Sequence, residues 1–244
     1  MKKEDSIQNY FVGKIPPFLL FEKEYHSLHH VVESHKNDQY YKENNPACQV
    51  SLIGIIAYFE AFCKHQFAAI INIFPELAFE FSEKRKNIKI DLSTILSLQE
   101  NTFKNLGFII AERYDFGSSS SINNNFKDLL SMTPFSKKQA AFFEKINYKR
   151  NLLVHHAGYY TLQSLNNPKV DISERQDKAF SDNVRIEPST YQEYSDFLFE
   201  MALKITCSTI KSIKEMDIYK SLNEESLKIK AVEKLGVALY DRIS

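Results

Sequence analysis

Lys149, Arg150, Asn151, Leu152, Leu153, Val154, His155 and His156, followed by Ala157 and Gly158, form the stretch of this 244-residue chain best equipped for chemistry. An arginine, a polar residue directly after it and a histidine five positions on sit in a segment of helical periodicity. At about 100° per residue, Asn151 and His155 fall one above the other on one helix face. Arg150 is rotated from His155 by about 140°, but its long side chain can swing to the same rim. Tyr148 and Tyr159 fall near that stripe, and Lys145 and Lys149 add positive charge. These residue types suit phosphodiester cleavage without a metal. Imidazole, with an ordinary pKa of about 6.5, takes or gives a proton at neutral pH. A guanidinium stabilises a developing phosphorane through two parallel hydrogen bonds. The Asn151 amide can orient the imidazole or a phosphate oxygen. RNA brings its own nucleophile, the 2′-hydroxyl, so the site requires neither a bound water nor a cation. The plain alternative is a polar network that ties this helix to a neighbour or to a second copy.

Other constellations have a bland reading beside the chemical one. His26 and His30 are spaced i, i+4, with Glu33 one turn later, so one helix face could offer three metal ligands. A solvated or packed face explains the same spacing, and His29 lies between them. Lys84, Arg85 and Lys86 could grip a nucleic-acid backbone, though a charge run is ordinarily a solvated surface. Cys63 near His65 has the elements of a nucleophile and base, yet a cysteine on an apolar helix belongs to a core. Glu60 reads as a partnered carboxylate, buried or interfacial.

The elements that must position these groups are helical. Only 6 Gly and 7 Pro argue against a turn-rich sandwich or barrel, while 43% hydrophobic and 25% charged residues exclude wholesale disorder. Lys and Arg number 31 against 31 Asp and Glu, which removes the strongly basic balance of many nucleic-acid binders but permits a local patch. Cys48, Cys63 and Cys207 are odd in number and far apart, fitting neither a disulfide framework nor a zinc site and pointing to a reducing compartment. The charged start, Met1 to Asp5, has no apolar run behind it, so no targeting segment is expected. The most apolar stretch, Leu52 to Phe74, carries Glu60, Lys64, His65 and Gln66, which hydrocarbon disfavours. It reads as the central helix of a soluble, cytoplasmic bundle.

Helices are expected over Phe18–Lys42, over Ala47–Phe74 and from Asp91 or Ser93 to Tyr114. A fourth runs from the Ser136 cap through Tyr160 to Asn166, and a fifth from Pro188 through Ile213. Gly117, the four serines after it and Asn123 to Asn125 read as a surface loop, with a short helical turn over Phe126–Ser131. Lys169–Glu187 reads as irregular with an extended piece at Asn183–Ile186. Asp217–Ser244 reads as an amphipathic helical tail. The fold class is an all-α, up-and-down bundle of four to five core helices with helical extensions. Residues 1–44 form the N-terminal extension, 45–216 the bundle and 217–244 the tail.

The string Arg150 to Gly158 resembles the signature of the HEPN family (higher eukaryotes and prokaryotes nucleotide-binding): an Arg, usually a polar residue, then His after four intervening positions. Phe143 to Lys149 and the helix bearing Tyr58-Phe59-Glu60-Ala61-Phe62 also look like members of that superfamily. The resemblance covers roughly Ala47 to Met216. It implies a bundle of four or five helices, usually dimeric. Many members are metal-independent endoribonucleases of toxin–antitoxin, abortive-infection or anti-phage systems, in which two copies of the motif meet in one composite cleft. Carried onto this chain, His155 is general base or acid, Arg150 binds the scissile phosphate and Asn151 positions both. The products are a 2′,3′-cyclic phosphate and a 5′-hydroxyl. Glu60 is the candidate for an acidic residue facing the motif, with Lys149, His156 and Tyr159 in support. The partners implied are RNA (tRNA or mRNA), a second copy and an antitoxin protein, with no cofactor, no metal and no membrane. Where one subgroup has a modifiable tyrosine two positions after the histidine, this chain has Ala157, and His156 points about 100° away from His155. The alternative within the family is a catalytically inactive module that binds RNA, a nucleotide or a protein.

Overall fold

Proline marks three helix starts, two of them where the sequence leads one to expect a helix, while the helix after Pro75 is not among those expected. Pro17 opens α1 (Pro17–His35), Pro46 opens α2 (Pro46–Ile73), and Pro75 precedes α3 (Glu76–Arg85). At a first turn its missing N–H costs nothing and its fixed φ suits the helix. The structure, a computed structural model, describes residues 6–36, 45–86, 88–99, 102–165 and 179–236. The expected continuation of the first helix to Lys42 lies outside them, as does Lys169–Lys178. Further along are α4 (Leu92–Leu98), α5 (Leu106–Ala111), α6 (Ser119–Leu130), α7 (Lys137–His156), α8 (Leu162–Leu165), α9 (Pro188–Glu215), α10 (Asp217–Lys220) and α11 (Leu227–Leu235). Among the described residues the fold is all-α, with short 3-10 turns, one isolated antiparallel bridge and no strand.

The third helix and the serine run depart from expectation. The third is broken: α4 stops at Gln99, whose φ of +47° leaves the helical region, and α5 resumes only after a 3-10 turn at Phe103–Asn105. The serine run is not a loop. Ser118 caps α6, its hydroxyl accepting from the Ser121 N–H at 3.1 Å, and Ile122, Phe126, Leu129 and Leu130 bury one face. The i, i+4, i+7, i+8 spacing of those four residues outweighs the indifferent propensity of Ser and Asn.

By internal contacts the chain divides into two units: Met1–Glu22, Glu60–Pro134 and Met201–Ser244 form the first, Lys23–Phe59 and Phe135–Glu200 the second. Helices α1, α2 and α9 each supply residues to both units. In the first unit Phe67 sits among Phe81, Phe116 and Phe126 at centroid distances of 5.2, 5.5 and 6.2 Å, edge-on as aromatic quadrupoles prefer. There α11 packs against the 3-10 turn Ile7–Tyr10, and Lys228 reaches Glu76 at 3.2 Å, which identifies what the tail covers. In the second unit Phe59, Phe135 and Phe143 form the aromatic centre, and Phe142 meets Tyr194 and Phe197.

Helix α2 is long and apolar enough to cross a membrane. Leu52, Ile55, Ile56, Phe59, Phe62, Phe67, Ile70 and Ile71 are nevertheless buried within the protein, which makes it a core helix compatible with a soluble protein.

Candidate functional site

The motif occupies the last turns of α7. A capping box starts this helix: Ser136 Oγ accepts from the Gln139 N–H at 3.3 Å, and Gln139 Oε1 accepts from the Ser136 N–H at 3.1 Å. The helix ends at His156, well short of the expected Asn166. Ala157 takes the left-handed conformation at φ +50°, Gly158 follows at φ +87°, and its N–H donates to the Leu152 carbonyl at 2.9 Å. The Ala157 N–H donates to the same carbonyl, so two successive left-handed residues close the helix end on one acceptor. The chain then reverses. Val184 N–H donates to Gly158 O at 2.8 Å, Tyr160 N–H to Asp182 O at 3.1 Å, and Tyr159 bridges Asn183. The extended piece expected at Asn183 is therefore the clamp on this turn, with Tyr160, Val184 and Ile186 buried beneath it.

The reversal sets Thr161 and Gln163 beside the motif face. An open groove of about 280 Å³ results, lined by Tyr148, Asn151, Leu152, His155, His156, Thr161 and Gln163. Leu152 is buried, whereas Asn151, His155 and His156 face solvent. Arg150 Nη1 donates to Asn151 Oδ1 at 3.0 Å, so the guanidinium has swung to the rim as helix geometry allows. His156, expected to turn away, also lines the groove, because the helix ends there and the groove wraps its terminus.

The other expected residues lie elsewhere. The Lys149 ammonium rests 5.6 Å above the Tyr194 ring, a cation–π contact within the second unit. Tyr159 is held by its backbone bridge, with its ring exposed and outside the groove lining. Glu60 belongs to the first unit, where its carboxylate borders Gly117, and it is not among the groove residues. Thr161 and Gln163 were not foreseen. The legible signal was Gly158 after two histidines, a helix stop with basic residues in the last turn.

A left-handed Ala157 carries a cost that glycine would avoid. Ala157→Gly is expected to raise the unfolding free energy by about 1 kcal/mol, read from urea denaturation. An unchanged or lower midpoint would contradict the cap geometry.

The remaining constellations take their bland readings. His26, His30 and Glu33 are exposed, Glu33 is bonded to Lys36, and among the described residues no three His, Cys, Asp or Glu side chains converge as metal ligands. Lys84 donates to the Asp128 carbonyl, and Arg85 pairs with the Asp128 carboxylate at 2.6 Å and with Asn125. Cys63 is a buried core thiol, pushed well up by burial and then by the nearby Glu60 charge, which disfavours a thiolate nucleophile.

His29 turns inward instead. Ser195 spends its hydroxyl proton on the Gln192 carbonyl at 3.0 Å, so His29 Nε2–H donates to Ser195 Oγ at 3.0 Å, beside the Tyr25–Asp196 hydrogen bond. Ser195 is fully buried, so this is a structural network. Burial holds the His29 pKa below its ordinary value, against the opposing pull of Asp196. The unfolded chain therefore binds more protons below about pH 6.5, and stability complete above that pH declines as pH falls toward the folded pKa. His65, lowered by burial and then by Lys64, acts in the same direction. Urea titrations between pH 8 and 5 should show falling stability in the wild type and a shallower fall in His29→Gln. Equal slopes would remove His29 from the account.

Comparison with protein-family models, with curated proteins and with solved structures finds no match for this chain.

Proposed function

We propose that this protein is a HEPN-type endoribonuclease that cuts single-stranded or loop RNA, tRNA or mRNA, as a homodimer in a toxin–antitoxin, abortive-infection or anti-phage system of the cytoplasm. One observation carries the reading. Arg150, Asn151 and His155 stand together at an exposed helix end, the guanidinium bonded to the amide at 3.0 Å and the imidazole bordering an open groove.

In this reading His155 removes the 2′-hydroxyl proton as the 2′ oxygen attacks phosphorus. The bond from phosphorus to the 5′ oxygen breaks, and that oxygen takes a proton from an imidazolium, supplied by the second copy in a composite cleft. Arg150 holds the phosphorane charge, and Asn151 fixes the guanidinium through the bond it accepts. The ends left are a 2′,3′-cyclic phosphate and a 5′-hydroxyl. Apolar surface near the motif supports a second copy: Val154 is 47% exposed and Leu162 52%.

Purified protein incubated with end-labelled RNA, with and without EDTA, tests the proposal. Cleavage insensitive to EDTA and leaving cyclic-phosphate ends is the expected result. Binding without strand scission would favour the inactive binding module, and EDTA-sensitive cleavage would remove the proposed chemistry.

A further inference from the structure

The groove that His155 borders has a composition unlike a phosphate site. None of its lining residues is Lys, Arg, Asp or Glu. Arg150, the group suited to phosphate, is not among them but stands next to it through Asn151. The lining itself is two amides, a threonine hydroxyl, a tyrosine, two imidazoles and the buried Leu152. Charge is thus kept to the rim, while the interior offers an apolar base, flat rings and neutral hydrogen-bonding groups.

From this arrangement we infer that the groove is a nucleobase-reading subsite, holding one base of the RNA strand next to the linkage that Arg150 and His155 engage. The inference rests on the nuclease reading for its substrate and adds what that reading lacks, a source of sequence preference. A base is a flat, uncharged ring with hydrogen-bonding edges, and proteins capture unstacked RNA bases by aromatic stacking and by bonds to those edges. Tyr148 and His156 bring rings to the lining. Asn151 and Gln163 each present an acceptor and two donors on one planar amide, matching the adjacent donor and acceptor positions of a base edge. Thr161 adds a hydroxyl that donates or accepts. The size agrees: about 280 Å³ lies just below the ~300–1,000 Å³ that hold drug-sized ligands, room for one base rather than several.

Gln163 and Thr161 are the specificity residues in this scheme, because they come from the segment after the Gly158 turn rather than from the motif helix. Base reading would then vary with the returning segment while the α7 chemistry stayed the same.

The test is titration of the full-length protein with each of the four 3′-nucleoside monophosphates and with the corresponding nucleosides. Binding is followed by the histidine C2–H proton resonances, with His155 and His156 assigned through His155→Ala and His156→Ala. The expected result is saturable shifts of both resonances with unequal affinities among the bases. Gln163→Ala and Thr161→Val should each weaken the preferred base about tenfold and narrow the spread. Arg150→Ala should weaken the monophosphates but not the nucleosides, which separates the phosphate rim from the base groove. Wild-type thermal midpoints in the groove variants show that the fold is kept. Equal affinities for all four bases, or affinities unmoved by both groove substitutions, overturn the subsite even if the protein cuts RNA. Base-selective binding that depends on Gln163 upholds it even if RNA is left intact, in which case only the cleavage reading fails.

Discussion

His155→Ala will lower the rate of RNA cleavage by about 100- to 10,000-fold while far-UV helicity stays that of the wild type. The first half follows from the role assigned to the imidazole, since a positioned general acid or base contributes a factor of that order. The second follows from placement. His155 lies exposed in the last turn of a helix whose end is secured elsewhere, by Gly158, Val184 and the Tyr160 and Asp182 backbone. Substitutions at such positions ordinarily move stability by no more than about 0.5 kcal/mol. Arg150→Ala should cost about 100- to 1,000-fold, as loss of a transition-state charge partner does. Arg150→Lys should fall between, because an ammonium keeps the charge but loses the planar fork that bonds Asn151 and phosphate together. Initial rates on a short end-labelled RNA, beside thermal midpoints of each variant, measure all three. A protein carrying both His155→Ala and Arg150→Ala that cuts as fast as the wild type would remove the active-site assignment.

Gly107→Ala should destabilise the protein by about 3 kcal/mol or more, one of the largest effects of any single methyl group in the chain. A Cβ at this position would lie 2.0 Å from the Ala68 carbonyl oxygen and 2.8 Å from Asn72 Oδ1. Neither atom can yield cheaply, since Ala68 and Asn72 are buried in α2 and the Ala68 oxygen belongs to the backbone. The Gly107 N–H donates to Asn72 Oδ1 at 2.7 Å, and Asn72 Nδ2 donates to the Tyr10 carbonyl at 3.3 Å. Pushing α5 off α2 would break the first bond and strand a buried amide oxygen. Gly54→Ala makes the contrast. There the new methyl meets only the end of the Leu28 side chain at 3.3 Å, and alanine gains about 1 kcal/mol of helix propensity. Urea denaturation of the two variants should give opposite signs. A Gly107→Ala protein as stable as the wild type would show that α5 does not approach α2 as described.

How far each element was legible depended on how local its cause is. The Ser136 cap and the Pro46 start were readable because the stabilising groups lie within a few residues of one another. The Asn151 and His155 register was readable because helix rotation alone sets it. The Ser118 to Leu130 segment misled because serine and asparagine look like loop residues until the burial of Ile122, Phe126, Leu129 and Leu130 is weighed. Asn125 there bonds the Asp115 carbonyl and Arg85, partners supplied only by folding. The need for glycine at 107 arises from the approach of α5 to α2, which no local pattern records.

The sequence by itself determined that this chain is helical and that Arg150, Asn151 and His155 share one helix. Period, caps and stop signals act over a single turn or two and can be read along the string. Only the tertiary structure decided that α7 ends at His156 and that the returning segment brings Thr161 and Gln163 to the imidazole. Those outcomes depend on which distant backbone groups pair and which apolar faces bury each other. Contacts of that kind have no spacing rule in the sequence, because the partners meet only once the chain has folded.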